Sequence, residues 1–208
     1  MHKLFLSLFL ASTLSYAASD KPKMHCTLSQ EGPFIVTWQA FKTPSKVPVS
    51  GSFDKVIYKA AKAKGINFKE IFTGSGVLID KVSVNTKNKG RDAKLVQFFF
   101  NMIKGENIQA KILSVKSDPR VKGKPKTGLF VTEVTMNGIT KTVPMHFRFF
   151  KGTLSAEGVI DLFDFQANTA LSELNKACFE KHEGKTWNDV KIGFTTHIKA
   201  LCEAIQIK

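Results

Sequence analysis

Asn137-Gly138 stands between two long runs of alternating residues, and it restricts the fold more than any other feature of the chain. Both loop positions of a two-residue hairpin need positive φ, which Asn and Gly tolerate best. Before the turn, Phe130, Thr132, Val134 and Met136 share one face. After it, Ile139, Val143, Met145, Phe147 and Phe149 continue that face, interrupted by Lys141, while Thr140, Thr142, His146 and Arg148 read as solvated. Lys151-Gly152 reverses the chain again, into Leu154, Ala156, Gly158, Ile160 and Leu162, alternating with Thr153, Ser155, Glu157 and Asp161. Three such strands predict an antiparallel meander over 128–162 with one apolar face and one wet face.

The rest of the chain supplies partners for that face. Strands are predicted at 34–41, with Phe34, Val36, Trp38 and Ala40 together, at 47–53, at 74–82, at 108–112 and at 190–198. Gly51 inside a strand points to a bend or a close backbone approach. A short helix is expected around 67–71, and a longer one over 91–103 with Leu95, Phe98, Phe99 and Met102 on one face. Residues 168–179 read as a second principal helix, capped by Asn168 or Thr169. About eight one-sided antiparallel strands with two helices are well suited to an eight-stranded antiparallel β-barrel of the mainly β class, a sandwich being the alternative. Consecutive phenylalanines at 98–100 are too apolar for a solvated helix, so that helix should press into the open end or inner face of the sheet.

Residues 1–17 have a short basic start, an apolar run from Leu4 to Leu14 and small residues before Ala18. That is the pattern of a secretory signal peptide cut between Ala17 and Ala18, leaving 18–208 as one exported, periplasmic domain. An oxidising compartment permits one disulfide among Cys26, Cys178 and Cys202. Cys26 precedes the first strand and Cys202 follows the last, so closure of the sheet would make them neighbours. Cys26–Cys202 is therefore the preferred pair, with Cys178–Cys202 the alternative. The formal charge of +14 comes almost wholly from lysine, since Arg91, Arg120 and Arg148 are the only arginines. Bidentate phosphate recognition favours arginine, so a solvated lysine surface is preferred to a nucleic-acid site. Transient contact with an anionic membrane surface, and homodimerisation through strand edges, stay open.

Five segments in order resemble the YceI-like family of exported bacterial proteins. They are Val49-Ser50-Gly51-Ser52-Phe53, Arg91-Asp92 followed by Leu95 and Phe98-Phe99, Met136 to Lys141, Ile160-Asp161 through Phe165, and Gly184 to Val190 with Trp187. The chain departs from the family pattern at Leu162 and Gln166, and it lacks an Asp…His-Ser near 29–34. The resemblance implies a lipocalin-like barrel that holds a long apolar molecule, such as a polyisoprenoid, an isoprenoid quinone or a fatty acid or amide. With the excess of inward aromatic residues, it makes Trp38, Leu95, Phe98, Phe99, Val143, Met145, Phe147, Phe163 and Phe194 the expected lining. Arg91 and Asp92 are either a polar gate at the pocket mouth or a helix-start pair. No cofactor and no metal are expected. The alternative to a carrier is an envelope stress or interaction protein whose ligand is only structural.

Catalytic patterns are weak. Thr73-Gly74-Ser75-Gly76 lacks the strand-to-helix context of a nucleophile elbow. Cys178 and His182 are spaced to share a helix face, but no second ligand pair converges on them. The reading is of a binding protein, not an enzyme.

Overall fold

A computed structural model describes residues 23–205; the signal-like stretch at 1–17 lies outside them. In chain order the strands are β1 (Lys23–Lys42), β2 (Val47–Phe53), β3 (Val56–Lys59), β4 (Lys64–Gly65), β5 (Gly76–Asp80) and β6 (Val84–Asn85). They continue with β7 (Asn107–Ser117), β8 (Lys126–Met136), β9 (Ile139–Phe150), β10 (Thr153–Asp161) and β11 (Asp189–Ile205). The helices are α1 (Phe68–Phe72), α2 (Lys89–Phe98), α3 (Asn168–Ala177) and α4 (Phe179–His182).

The meander is built by its turns. Asn137 and Gly138 take φ of 55° and 77°, which places Met136 opposite Ile139 and sets the register of β8 on β9. Lys151 and Gly152 repeat the device at φ 48° and 81°, pairing Phe150 with Thr153. Every residue expected on the inner face of β8 is buried, and Thr140, Thr142, His146 and Arg148 are exposed on the outer face of β9.

One antiparallel sheet runs in the order β3-β5-β7-β8-β9-β10-β11-β1-β2-β6, with β4 attached to β1. Its two ends meet because β2 and β3 are one chain segment bent at Asp54-Lys55. β2 pairs with β1, and β3 pairs with β5 on the far side. Ser83 holds the bend, accepting the Asp54 N–H at its carbonyl (2.9 Å) and the Lys55 N–H at its hydroxyl (3.0 Å). With the bent pair counted once and the two-residue β4 and β6 set aside, the barrel has eight staves.

β1 and β11 are much longer than their apolar alternation suggests. A bulge between Glu31 and Ile35 divides β1. Its first half pairs with the end of β11 as a ribbon whose stability comes from the partner strand, so its polar sequence gave no strand signal. On that ribbon Cys26 lies opposite Cys202, and the two are joined by a disulfide (S–S 2.06 Å). Cys178 is a free thiol at the C-terminal cap of α3.

Two helical expectations need correction. The helix predicted over 91–103 ends at Phe98, and Phe100–Met102 form a 3₁₀ turn. The change of winding rotates the face, so Phe100 and Ile103 are buried while Met102 is 49% exposed. α3 begins after Ala167 with no side-chain cap bond, instead of the Asn168 or Thr169 cap.

Candidate functional site

The two ends of the barrel are closed differently. At the end where β8 begins and β9 finishes, α1 inserts Phe68, Ile71 and Phe72, all buried. Asn67 starts this helix by accepting the Glu70 N–H at 2.9 Å. Phe68 meets Phe147 and Phe149 edge-on at 5.6 and 5.1 Å, and Phe72 meets Phe130 at 5.4 Å. Phe130 packs on Phe147 (4.8 Å) and on Phe194 (5.7 Å), Phe194 on Phe34 (4.6 Å), and Phe34 stacks on Tyr58 (4.6 Å). This run of rings fills the base of the barrel solidly.

At the opposite end, the Asn137-Gly138 turn is tied to the helical segments. Asn137 donates to the carbonyls of Phe165 (2.9 Å) and Gln166 (3.2 Å) and accepts the Lys104 N–H (2.8 Å). There α2, the 3₁₀ turn and α3 form a lid. α2 buries no residue completely, and Lys94 Nζ donates to the Ala177 carbonyl across the lid at 3.3 Å.

Between the aromatic base and the lid lies a cavity of about 170 Å³. Its wall is almost entirely carbon, from inward residues of β1, β5, β7, β8 and β11, with Leu95, Phe99 and Phe100 on one side of the lid and Leu171 and Leu174 on the other. Among the described residues, no lysine, arginine, histidine, aspartate or glutamate lines it.

The expected lining divides. Trp38, Leu95, Phe99, Met145 and Phe194 line the cavity. Phe147 and Val143 do not: both are buried in the packed barrel core, Phe147 in the aromatic base and Val143 against the backbone of Gly158. Phe98 packs half-buried against the core outside the cavity wall. Phe163 is 49% exposed: it follows the inward-facing Leu162, so the alternation of β10 turns it outward, and the 3₁₀ turn over Leu162–Phe165 buries Leu162 and Phe165 instead. Residues passed over include Tyr58, Ile112, Leu171 and Leu174, although the i, i+3 spacing of the last two was visible in the sequence.

Neither Arg91 nor Asp92 lines the cavity. Asp92 accepts the Thr86 N–H (2.9 Å) and the Thr86 hydroxyl (2.5 Å), fixing the start of α2, and Arg91 is exposed. Asn88 caps the helix by accepting the Arg91 N–H at 3.0 Å. Ser75 is buried, with its hydroxyl donating to the Ile71 carbonyl and accepting from the Ala61 N–H, both at 3.0 Å. His182 Nδ1 lies 2.7 Å from Thr186 Oγ1, which donates to Asn175 Oδ1 at 2.8 Å. Burial, with the charges of Lys42 and Lys94, holds the His182 pKa below its usual value. Among the described residues no three His, Cys, Asp or Glu side chains converge as a metal site. The lysines of 116–126 flank the aromatic base, where Lys126 Nζ lies 5.0 Å from the Phe68 ring centre, far from the lid.

The family model for the YceI-like domain matches residues 27–198. The fold is similar to a polyisoprenoid binding domain from Saccharophagus degradans implicated in plant cell wall breakdown. That match has a TM-score of 0.53 at 15% identity and covers 86% of this chain and 100% of that one. It is also similar to BcnA of Burkholderia cenocepacia, with a TM-score of 0.50 at 18% identity, covering 80% of this chain and 96% of that one. No curated protein sequence matches the chain significantly.

Proposed function

Because the chain belongs to the YceI-like domain family, we propose that its barrel binds one long apolar molecule, a polyisoprenoid or an acyl chain, and carries it in the periplasm. The observation that carries this reading is the uncharged cavity between the aromatic base and the α2–α3 lid. The polyisoprenoid-binding domain among the similar structures supports the same ligand class.

Size decides how binding proceeds. A cavity of about 150 Å³ holds one benzene, so the 170 Å³ here takes only a short segment of such a chain in the closed form. A longer ligand enters by parting α2 from α3, which lie side by side and are joined by the Lys94–Ala177 hydrogen bond. Each methylene that then leaves water contributes about 0.8 kcal/mol, so a dozen of them offset the loss of the lid contacts. The signal-like start of the sequence supports export.

The test is titration of a Trp187→Phe variant with a polyprenol, following Trp38 fluorescence. The reading expects saturable, one-to-one quenching. A response that never saturates, or none, overturns it.

A further inference from the structure

Among the described residues, Trp187 is the one aromatic ring that both lines the cavity and carries cations over its face. Lys46 Nζ stands 4.3 Å from its centre and Lys185 Nζ 4.5 Å. The ring is held in place: Nε1 donates to the Thr43 carbonyl at 2.7 Å, and the backbone N–H donates to the Phe41 carbonyl at 3.0 Å. Phe41 extends the platform outward, with Lys46 Nζ at 5.6 Å and Lys191 Nζ at 6.0 Å from its own centre. Exposed cation–π contacts of this kind are weak, so they leave the ammonium groups able to turn to a better partner.

The seam of the lid ends at the same place. The Thr43 N–H donates to the Lys185 carbonyl at 2.9 Å, and Lys42 bridges to Thr186, so the turn after β1 is tied to the segment that follows α4. Lys94 closes α2 on the Ala177 carbonyl of α3. After burial, the charges of Lys42 and Lys94 are what disfavour protonation of His182, which places both beside it. These cations are short of counter-charge. Among the described residues Asp189, 2.9 Å from Lys46 Nζ, is the only carboxylate in salt-bridge contact with Lys42, Lys46, Lys94, Lys185 or Lys191. Lys185 has none.

We propose that Lys46 and Lys185, at the rim marked by Trp187, hold an anionic head group of the ligand, a phosphate or a carboxylate, while its apolar tail lies in the barrel. Two ammonium groups gathered on one ring can reach the oxygens of a single anion, since each swings on a four-carbon stem and offers three donors. The charge stays at the exposed rim, because the uncharged interior has nothing to compensate its desolvation. Parting α2 from α3 releases Lys94 from the Ala177 carbonyl and brings a third cation to the same rim. The ligand therefore enters tail first. The inference rests on the lipid-binding reading above, and its test separates the two failures.

The test measures the affinities of farnesyl phosphate, farnesol and inorganic phosphate by calorimetry. It uses the wild type, Lys185→Gln, the double variant Lys46→Gln with Lys185→Gln, and a control with Lys116→Gln and Lys122→Gln in the basic loop at the far end. The wild type should bind farnesyl phosphate about tenfold more tightly than farnesol, the effect of two exposed ion pairs. Raising the salt from about 0.05 to about 0.5 M should remove most of that preference. Lys185→Gln should lose part of it and the double variant nearly all, with farnesol still binding, and the control should keep it whole. Inorganic phosphate, which has no tail, should bind far more weakly than farnesyl phosphate. Equal affinity of the wild type for farnesyl phosphate and farnesol overturns the subsite. So does an undiminished preference in the double variant, an equal loss in the control, or inorganic phosphate binding as tightly as the lipid. Lysine-dependent sedimentation with phosphatidylglycerol vesicles, without any preference between the soluble probes, would assign the cluster to a membrane surface and overturn it too. If farnesol binds and the preference is absent, only the subsite fails; if no probe binds, the lipid-binding reading fails and the subsite with it.

Discussion

Gly51 lies directly against the indole of Trp38: a Cβ on Gly51 would be 2.7 Å from Cζ2 and 2.9 Å from Cε2 of that ring, and 3.0 Å from the Asn85 carbonyl. The missing side chain lets β2 pass close under the ring that forms one wall of the cavity. Gly51→Ala should cost about 2 kcal/mol, because the ring is hemmed in by the opposite backbone and has to tilt into the cavity. In a Trp187→Phe background its fluorescence should shift along with the melting temperature. Unchanged emission and stability would mean that the contact does not constrain the ring.

The solid base and the open cavity respond differently to truncation. Phe147 is 2% exposed and touches both Phe68 and Phe130, so Phe147→Ala should destabilise the fold by about 3–5 kcal/mol in urea denaturation. Phe163→Ala removes an exposed ring and should stay within about 0.5 kcal/mol of wild type. Equal effects would contradict the assignment of one to the base and the other to the surface.

Phe99 stands on the lid side of the cavity and the basic loop stands at the other end. Phe99→Trp should weaken binding of a polyprenol about tenfold by taking up part of a small volume. Simultaneous Lys116→Glu, Lys122→Glu and Lys124→Glu should leave that affinity unchanged. If binding follows the lysines and ignores Phe99, the ligand does not reside in the barrel.

His182 makes the lid region sensitive to acid. Its folded pKa is depressed below the usual 6.5, so its contribution is fully present above that value. As pH falls through it, the unfolded chain takes up a proton before the folded one does, and stability declines until the folded imidazole is protonated too. The melting temperature should drop between pH 7.5 and pH 5, and His182→Gln should reduce the drop. A drop of equal size in the variant would place the acid sensitivity elsewhere.

Much of this fold was legible because its signals are local. Asn137-Gly138 carries its own φ requirement, and the alternation on either side states which face is buried, so the meander and its register follow from a few dozen residues. Pairing of Cys26 with Cys202 follows from closure of the sheet. The cavity was less legible, because depth along the barrel axis is not written in alternation. Met145 and Phe147 are two residues apart on one face, yet the first lines the cavity and the second fills the base. What separates them is the position of α1, a five-residue helix that seats Phe68 against Phe147. Tyr58 was passed over because β3 is four residues long and owes its place to β5, across a bend whose anchor is Ser83.

The most direct test of a hollow barrel built for an apolar chain is mass spectrometry of the protein purified from its own periplasm, once under native conditions and once after denaturation and solvent extraction. The account predicts one bound lipid per chain, retained in the native spectrum and released on denaturation. A chain that carries nothing, and that takes up no polyprenol or acyl alcohol when these are supplied, would contradict it.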